Sequence, residues 1–169
     1  MQAKKPSESL TVRHDVVLPG ECNPLNQLFG GELLARLDRI SAIAAARHSR
    51  TFVVTASVNQ VAFTKPIPMG SVVILEAKVS RAFSTSMEVV VDVWIEDIKE
   101  NKRIHCNEAI YTFVAVDNDG KPTQVPPIEP ETELEKKRYD GALRRHQLSL
   151  VLAGRMNPHD ATELKALFD

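Results

Sequence analysis

Apolar and polar positions along the chain change period several times, and each change marks an element. Leu10 to Leu18 alternates as a first strand, and Pro19, Gly20, Asn23 and Pro24 break it into a loop that ends at Phe29-Gly30-Gly31. From Glu32 to about His48 the period becomes helical: Leu33, Leu34, Leu37, Ile40 and Ala44 share one side, and Glu32, Arg36, Arg39 and Arg47 share the charged one. Four runs rich in Val, Ile, Thr and aromatic residues follow, Thr51 to Thr64, Ser71 to Ser84, Ser86 to Ile98 and Arg103 to Val116. Their separators are short: a turn at Lys65 to Gly70, a tight reversal at Phe83 to Ser86 and a hairpin at Lys99 to Lys102, which together predict a mainly antiparallel sheet. In the third run Met87, Val89, Val91, Val93 and Ile95 face one way and Glu88, Asp92 and Glu96 the other, so one face is expected buried and one wet. With one long helix available, the simplest burial wraps the sheet around it, an α+β architecture.

Beyond Val116, Asp117 to Gly120 reads as a turn. Pro122, Pro126, Pro127 and Pro130 space out an extended linker before a charged helical stretch near Glu131 to Ala153, and the pattern leaves the remainder undetermined. Residues 1–127 are therefore read as one domain and 128–169 as a proline-rich linker with a helical C-terminal extension.

Composition narrows the class of protein. The 169 residues, 43% apolar and 25% charged, suit a single globular domain, and a net charge of -1 gives no bulk reason to expect nucleic acid or an anionic membrane as partner. The polar start, Met1 to Ser9, has no apolar leader, and no segment reaches membrane-spanning length, so the expectation is a cytoplasmic protein. Cys22 and Cys106 lack CxxC spacing, and the five histidines lack HExxH spacing, so no metal site is expected. There is no GxSxG elbow, no phosphate loop and no dinucleotide fingerprint. The basic cluster Lys136-Lys137-Arg138, continued by Arg144-Arg145-His146, is read as a solvated helix face or a subunit contact, since Glu131, Glu133 and Glu135 balance it.

Four groups of residues could carry chemistry. Asp38 lies on the helix away from its charged stripe, beside Ala35, Ala42 and Ala45; it is either a structural carboxylate or a functional one with room for a substrate beside it. Asn23 offers an amide donor and a carbonyl acceptor in the loop before the helix, where Asn-Pro also simply initiates turns. Gly30 and Gly31 at the helix start either let a ligand reach backbone N–H groups, as an oxyanion would require, or only form a tight turn. Arg81, Ser84, Thr85 and Ser86 at the strand reversal could hold phosphate or form a solvated hairpin tip.

The run from Asn23 to Asp38, NPLNQLFGGELLARLD, resembles the N-x5-F-G-G-x6-D signature of hotdog acyl-CoA thioesterases, the group containing the bacterial YciA-like and cytosolic acyl-CoA hydrolases. Val53-Val54-Thr55, Phe63 to Ile67, Gly70, Thr85 to Val89 and Glu108 to Val116 with Asp117 and Gly120 extend the resemblance over about residues 10 to 127. It implies a hotdog fold, a sheet wrapped around a central helix, with protomers joined edge to edge as dimers that commonly assemble into hexamers, trimers of dimers. It further implies hydrolysis of acyl-CoA to a carboxylic acid and CoA at an interface site. Asp38 would be general base or nucleophile, Asn23 of the facing subunit would position the thioester, and Gly31 would donate to the oxyanion. The CoA moiety, part of the substrate rather than a cofactor, would run past Gly30, Asn59, Arg81, Ser84, Thr85 and Ser86, and no cofactor would be required. The chain departs from many relatives at Asn26, where they have Gly, and at Glu32, where they have Trp or another bulky residue. The alternatives are a non-catalytic acyl-CoA binding module and a hotdog hydratase; the latter needs a His with an acidic partner, and His48 falls at the helix end rather than beside Asp38.

Overall fold

The computed structural model describes residues 1–168. Strand β1 (Thr11–Val16) leads through a loop into helix α1 (Gly30–Ser49), after which come β2 (Phe52–Ala62), β3 (Val72–Ala82), β4 (Ser86–Asp97), β5 (Lys102–Val116), α2 (Glu133–Leu152) and a one-turn α3 (Thr162–Lys165). The strands form one sheet in the order β1-β3-β4-β5-β2, every pair antiparallel. The alternation in the sequence therefore located each long element to within two residues.

The sheet curls around α1. Leu33, Leu37, Ile40, Ala44 and Ala45 pack against Leu75, Ala77, Val79, Met87, Val89, Val91, Val93, Tyr111 and Phe113 in one continuous core. Burial of this apolar stripe, at about 25 cal/mol per Å² removed from water, is what holds the helix inside the sheet. The 20-residue α1 ends where Arg50 turns left-handed, at φ 61°. Asn26 in the preceding loop also lies in the left-handed region, at φ 55°. Glycine and asparagine both tolerate that conformation, so Asn at this position is compatible with a glycine-type loop path.

The outer face of the sheet is not wet, as the alternation alone suggested. Glu88 is 2% exposed and Val90 is buried, because α2 packs on β3 and its arginines reach over to β4. Arg145 meets Glu88 with two hydrogen bonds of 2.8 Å, from Nε and Nη2, and Ser80 Oγ donates to the same carboxylate at 2.7 Å. Arg138 bridges Asp92 at 2.7 Å and Glu108 at 2.8 Å. The basic cluster of α2 is thus divided: Arg138 and Arg145 turn inward as ion-pair anchors, which periodicity could not foresee because their partners lie on another element. Arg36 departs in the same way from its expected place on the charged side of α1. It is 4% exposed, held by Glu21 at 2.7 Å after the loop folds back over the helix.

The proline-spaced linker is also structural. Val125 and Ile128 enter the core, and Lys4 pairs with the linker through hydrogen bonds to Pro127 and Glu129. His48, fully buried, has its Nε2 at 2.7 Å from the Pro126 carbonyl, so its neutral ring donates there. Burial pushes the His48 pKa below its ordinary 6.5, and the Lys4 charge adds to that, against an opposing pull from the Pro126 carbonyl. Since the folded state binds this proton more weakly than the unfolded one, the contribution is complete above about pH 6.5 and is lost as pH falls towards the lowered folded value. His48→Gln is expected to flatten the acid limb of stability, measured as urea midpoints across a pH series; an unchanged acid limb would show that other groups set it.

Candidate active site

The loop before α1 is shaped by its own polar groups. Asn23 Oδ1 accepts from the N–H groups of Leu25 at 2.9 Å and Gln27 at 3.1 Å, and the Asn23 N–H donates to the Gln27 carbonyl at 2.8 Å. This fixes the side chain and leaves its Nδ2 as the remaining donor. The helix opens without a side-chain cap at Phe29, and its ladder begins with the Leu33 N–H to the Phe29 carbonyl at 3.1 Å. The N–H groups of Gly30, Gly31 and Glu32 thus precede the ladder and carry the positive end of the helix dipole. A Cβ on Gly31 would meet no heavy atom within 4 Å, so there is open space beside that backbone. Asn23, Gln27, Leu28, Gly30, Lys65 and Asn107 are among the residues around a cavity of about 500 Å³.

Asp38 occupies a different cleft of the same protomer, about 520 Å³, walled by Leu34, Ala35, Val58, Val61 and Tyr111. Thr55 Oγ1 of the neighbouring strand donates to Asp38 Oδ1 at 2.8 Å, which orients the carboxylate. Tyr111 reaches the Leu34 carbonyl at 3.2 Å, and burial first, then the Asp38 charge, pushes its pKa up to about 12. The phenol therefore stays protonated beside Asp38. Strand β2, which forms one wall, is the last strand of the sheet, and Phe52, Val54 and Val58 on it are about half exposed or more.

A groove of about 590 Å³ lies between the outer sheet face and the end of α2. It gathers Asn59, Thr85 and Ser86 with Ser57, Thr112, His146 and Arg155. Asn59 donates to Thr112 Oγ1 at 2.8 Å and accepts from Ser57 Oγ at 2.6 Å, and it lines both this groove and the Asp38 cleft. Arg81 and Ser84 stand apart from the groove's lining. The Arg81 guanidinium lies 4.0 Å from the Tyr139 ring centroid and donates to the Tyr139 carbonyl at 2.9 Å, and the Ser84 carbonyl accepts from Val125. In one protomer, then, Asp38, Asn59, Thr85 and Ser86 line connected surfaces, while Asn23 and Gly30 line another.

Thr55 and Tyr111 were missed as site residues by sequence reasoning. Thr55 stood in a stretch matching the hotdog signature, but only the fold shows its hydroxyl on Asp38. Among the described residues no three His, Cys, Asp or Glu side chains are grouped to hold a metal ion, and no helix is long and apolar enough to cross a membrane. Both cysteines are free thiols, and burial pushes the Cys106 thiol pKa up.

A sheet wrapped round a helix, with a carboxylate cleft at the sheet's free edge, defines a hotdog protein. The chain belongs to the thioesterase superfamily, whose family model matches residues 25–102. It is 41% identical over 133 residues to the protein VdlD of Helicobacter pylori, covering 79% of this chain and 76% of that one. It is 42% identical over 138 residues to YkhA of Bacillus subtilis, described as an uncharacterized acyl-CoA thioester hydrolase, covering 82% of this chain and 80% of that one. Among solved structures, the acyl-CoA hydrolase of Staphylococcus aureus in complex with butyryl coenzyme A, coenzyme A and coenzyme A disulfide superposes with a TM-score of 0.87 at 37% identity, over 99% of both chains. Structures of that enzyme also exist with single alanine replacements of an Asn, an Asp and a Thr. A hexameric acyl-CoA thioesterase superposes with a TM-score of 0.86 at 38% identity, over 90% of this chain and 98% of that one.

Proposed function

We propose that the protein is an acyl-CoA thioester hydrolase, releasing a carboxylic acid and CoA, with each active site assembled from two subunits. The observation that carries the reading is Asp38 held by Thr55 at 2.8 Å in an apolar cleft at the sheet's free edge. In the S. aureus hydrolase the three replaced residues follow one another in the order and spacing of Asn23, Asp38 and Thr55 here. Asp38 supplies the carboxylate, as general base on water or as nucleophile; in the first case water attacks the thioester carbonyl and gives its proton to Asp38. The Gly31 N–H stabilises the oxyanion, and Asn23 of the facing subunit orients the carbonyl through Nδ2. CoA leaves as the thiol when the proton returns, so the reaction uses only water and substrate.

Geometry calls for the second subunit. Asn23 and Asp38 line separate cavities of one protomer, and β2 presents an unpaired backbone edge with exposed apolar side chains next to Asp38. Pairing that edge with a second copy covers the apolar residues and brings the two halves together. We propose a homodimer of this kind, assembled further as a trimer of dimers; that a similar thioesterase is hexameric supports the total of six. Asn59, Thr85 and Ser86 continue from the Asp38 cleft and are assigned to the pantetheine and phosphate portions of CoA.

The test is thiol release from short, medium and long acyl-CoAs by the wild type and by Asp38→Asn. Release that depends on Asp38 is expected. Tight binding of the esters without release from any of them would make the protein an acyl-CoA binding module instead.

A further inference from the structure

One wall of the Asn23 cavity carries a donor that the fold does not use. Asn107, in the first half of β5, is 2% exposed. Its Oδ1 accepts the Thr64 N–H at 2.8 Å, and only the oxygen can accept, so the amide's orientation is set. That leaves Nδ2 buried with no hydrogen-bond partner among the described residues. Buried amide N–H groups are nearly always satisfied, and an unpartnered one on a residue that lines a cavity points to an acceptor entering from that cavity. The charge of the cavity says what kind. Its lining contains one charged side chain, Lys65, and no carboxylate. Lys65 Nζ spends one donor on the His105 carbonyl at 3.2 Å and keeps the others. The same lining includes Leu28, Leu33 and Ile67, apolar side chains fit for methylene groups.

We infer that this cavity receives the acyl portion of the substrate and selects short acyl groups that end in a carboxylate, bound by Asn107 Nδ2 and Lys65. The inference rests on the thioesterase reading and specifies its substrate class: CoA monothioesters of short dicarboxylic acids. A thioester carbonyl at the Gly31 N–H places the first methylenes against Leu33 and directs the far carboxylate towards the two donors. A carboxylate gains charge-assisted hydrogen bonds there, whereas a methyl end leaves Asn107 unsatisfied.

The experiment compares kcat/KM for glutaryl-CoA and pentanoyl-CoA, which share a five-carbon acyl chain and differ at its end. The wild-type oligomer is expected to favour glutaryl-CoA by roughly tenfold to a hundredfold. Lys65→Gln, at an exposed position that leaves the fold intact, is expected to cut that ratio by about tenfold. Asn107→Asp, which keeps the acceptor for Thr64 and replaces the donor with a like charge, is expected to reverse it. A wild type that cleaves pentanoyl-CoA as well as glutaryl-CoA overturns the inference alone. A Lys65→Gln ratio equal to that of the wild type does the same. Absence of thiol release from both esters and from every other acyl-CoA overturns the thioesterase reading and this inference together.

Discussion

Asp38→Asn and Asn23→Asp subunits, each inactive alone, are expected to recover roughly a quarter of wild-type turnover when dissociated, mixed in equal amounts and reassembled. Asp38→Asn preserves size and keeps an oxygen for the Thr55 hydroxyl, now 2.8 Å away, but cannot take a proton from water or attack as a carboxylate. A loss of about 10²–10⁴ in kcat follows from removal of a general base. Asn23→Asp keeps the Oδ1 that accepts from Leu25 and Gln27, so the loop holds its turn while the Nδ2 donor disappears. If each site takes Asp38 from one subunit and Asn23 from the other, a mixed dimer has one doubly damaged site and one intact site. Random mixing makes half the dimers mixed, hence the quarter. A mixture as inactive as its parts, with both variants still oligomeric, would place the site within one protomer and remove the two-subunit arrangement.

The largest stability effect is expected at the junction of α2 with the sheet. Arg145→Met should cost about 3–5 kcal/mol, because it strands the Glu88 carboxylate, 2% exposed, with Ser80 as its one remaining side-chain donor. Replacing both partners, Glu88→Leu with Arg145→Met, removes the buried charges together and should restore most of the loss, since an apolar pair of similar volume needs no desolvation of ions. Urea midpoints and slopes at fixed protein concentration measure both. A single variant within about 1 kcal/mol of wild type would mean that α2 is held by its apolar contacts and by Arg138, and that Glu88 gains water when Arg145 is removed.

The elements themselves were legible along the chain because they repeat a local rule. Period two marked β2 to β5, a helical period marked α1, and glycine, proline and asparagine marked the turns. Candidate chemistry was legible where it sat in a short run with exceptional spacing, Asn23 to Asp38. Thr55 was not, because a threonine in a strand has the same appearance whether its hydroxyl meets a carboxylate or water. Nor was the contact of Arg81 with Tyr139, which lies on another element.

The sequence by itself determined which residues form each strand and helix, which face of α1 and of β4 is apolar, and that one acidic side chain on α1 escapes the charged stripe. These follow from side-chain direction within one element, which backbone geometry sets locally. Only the tertiary structure decided which charges are buried, since Arg36, Glu88, Arg138 and Arg145 find their partners across elements. It alone placed Asp38 under Thr55, set Asn107 at the wall of a cavity with an unused donor, and separated Asn23 from Asp38 within one chain. The physical reason is the same throughout: burial and pairing are properties of contacts between distant segments, and local periodicity carries no record of which distant segment will arrive.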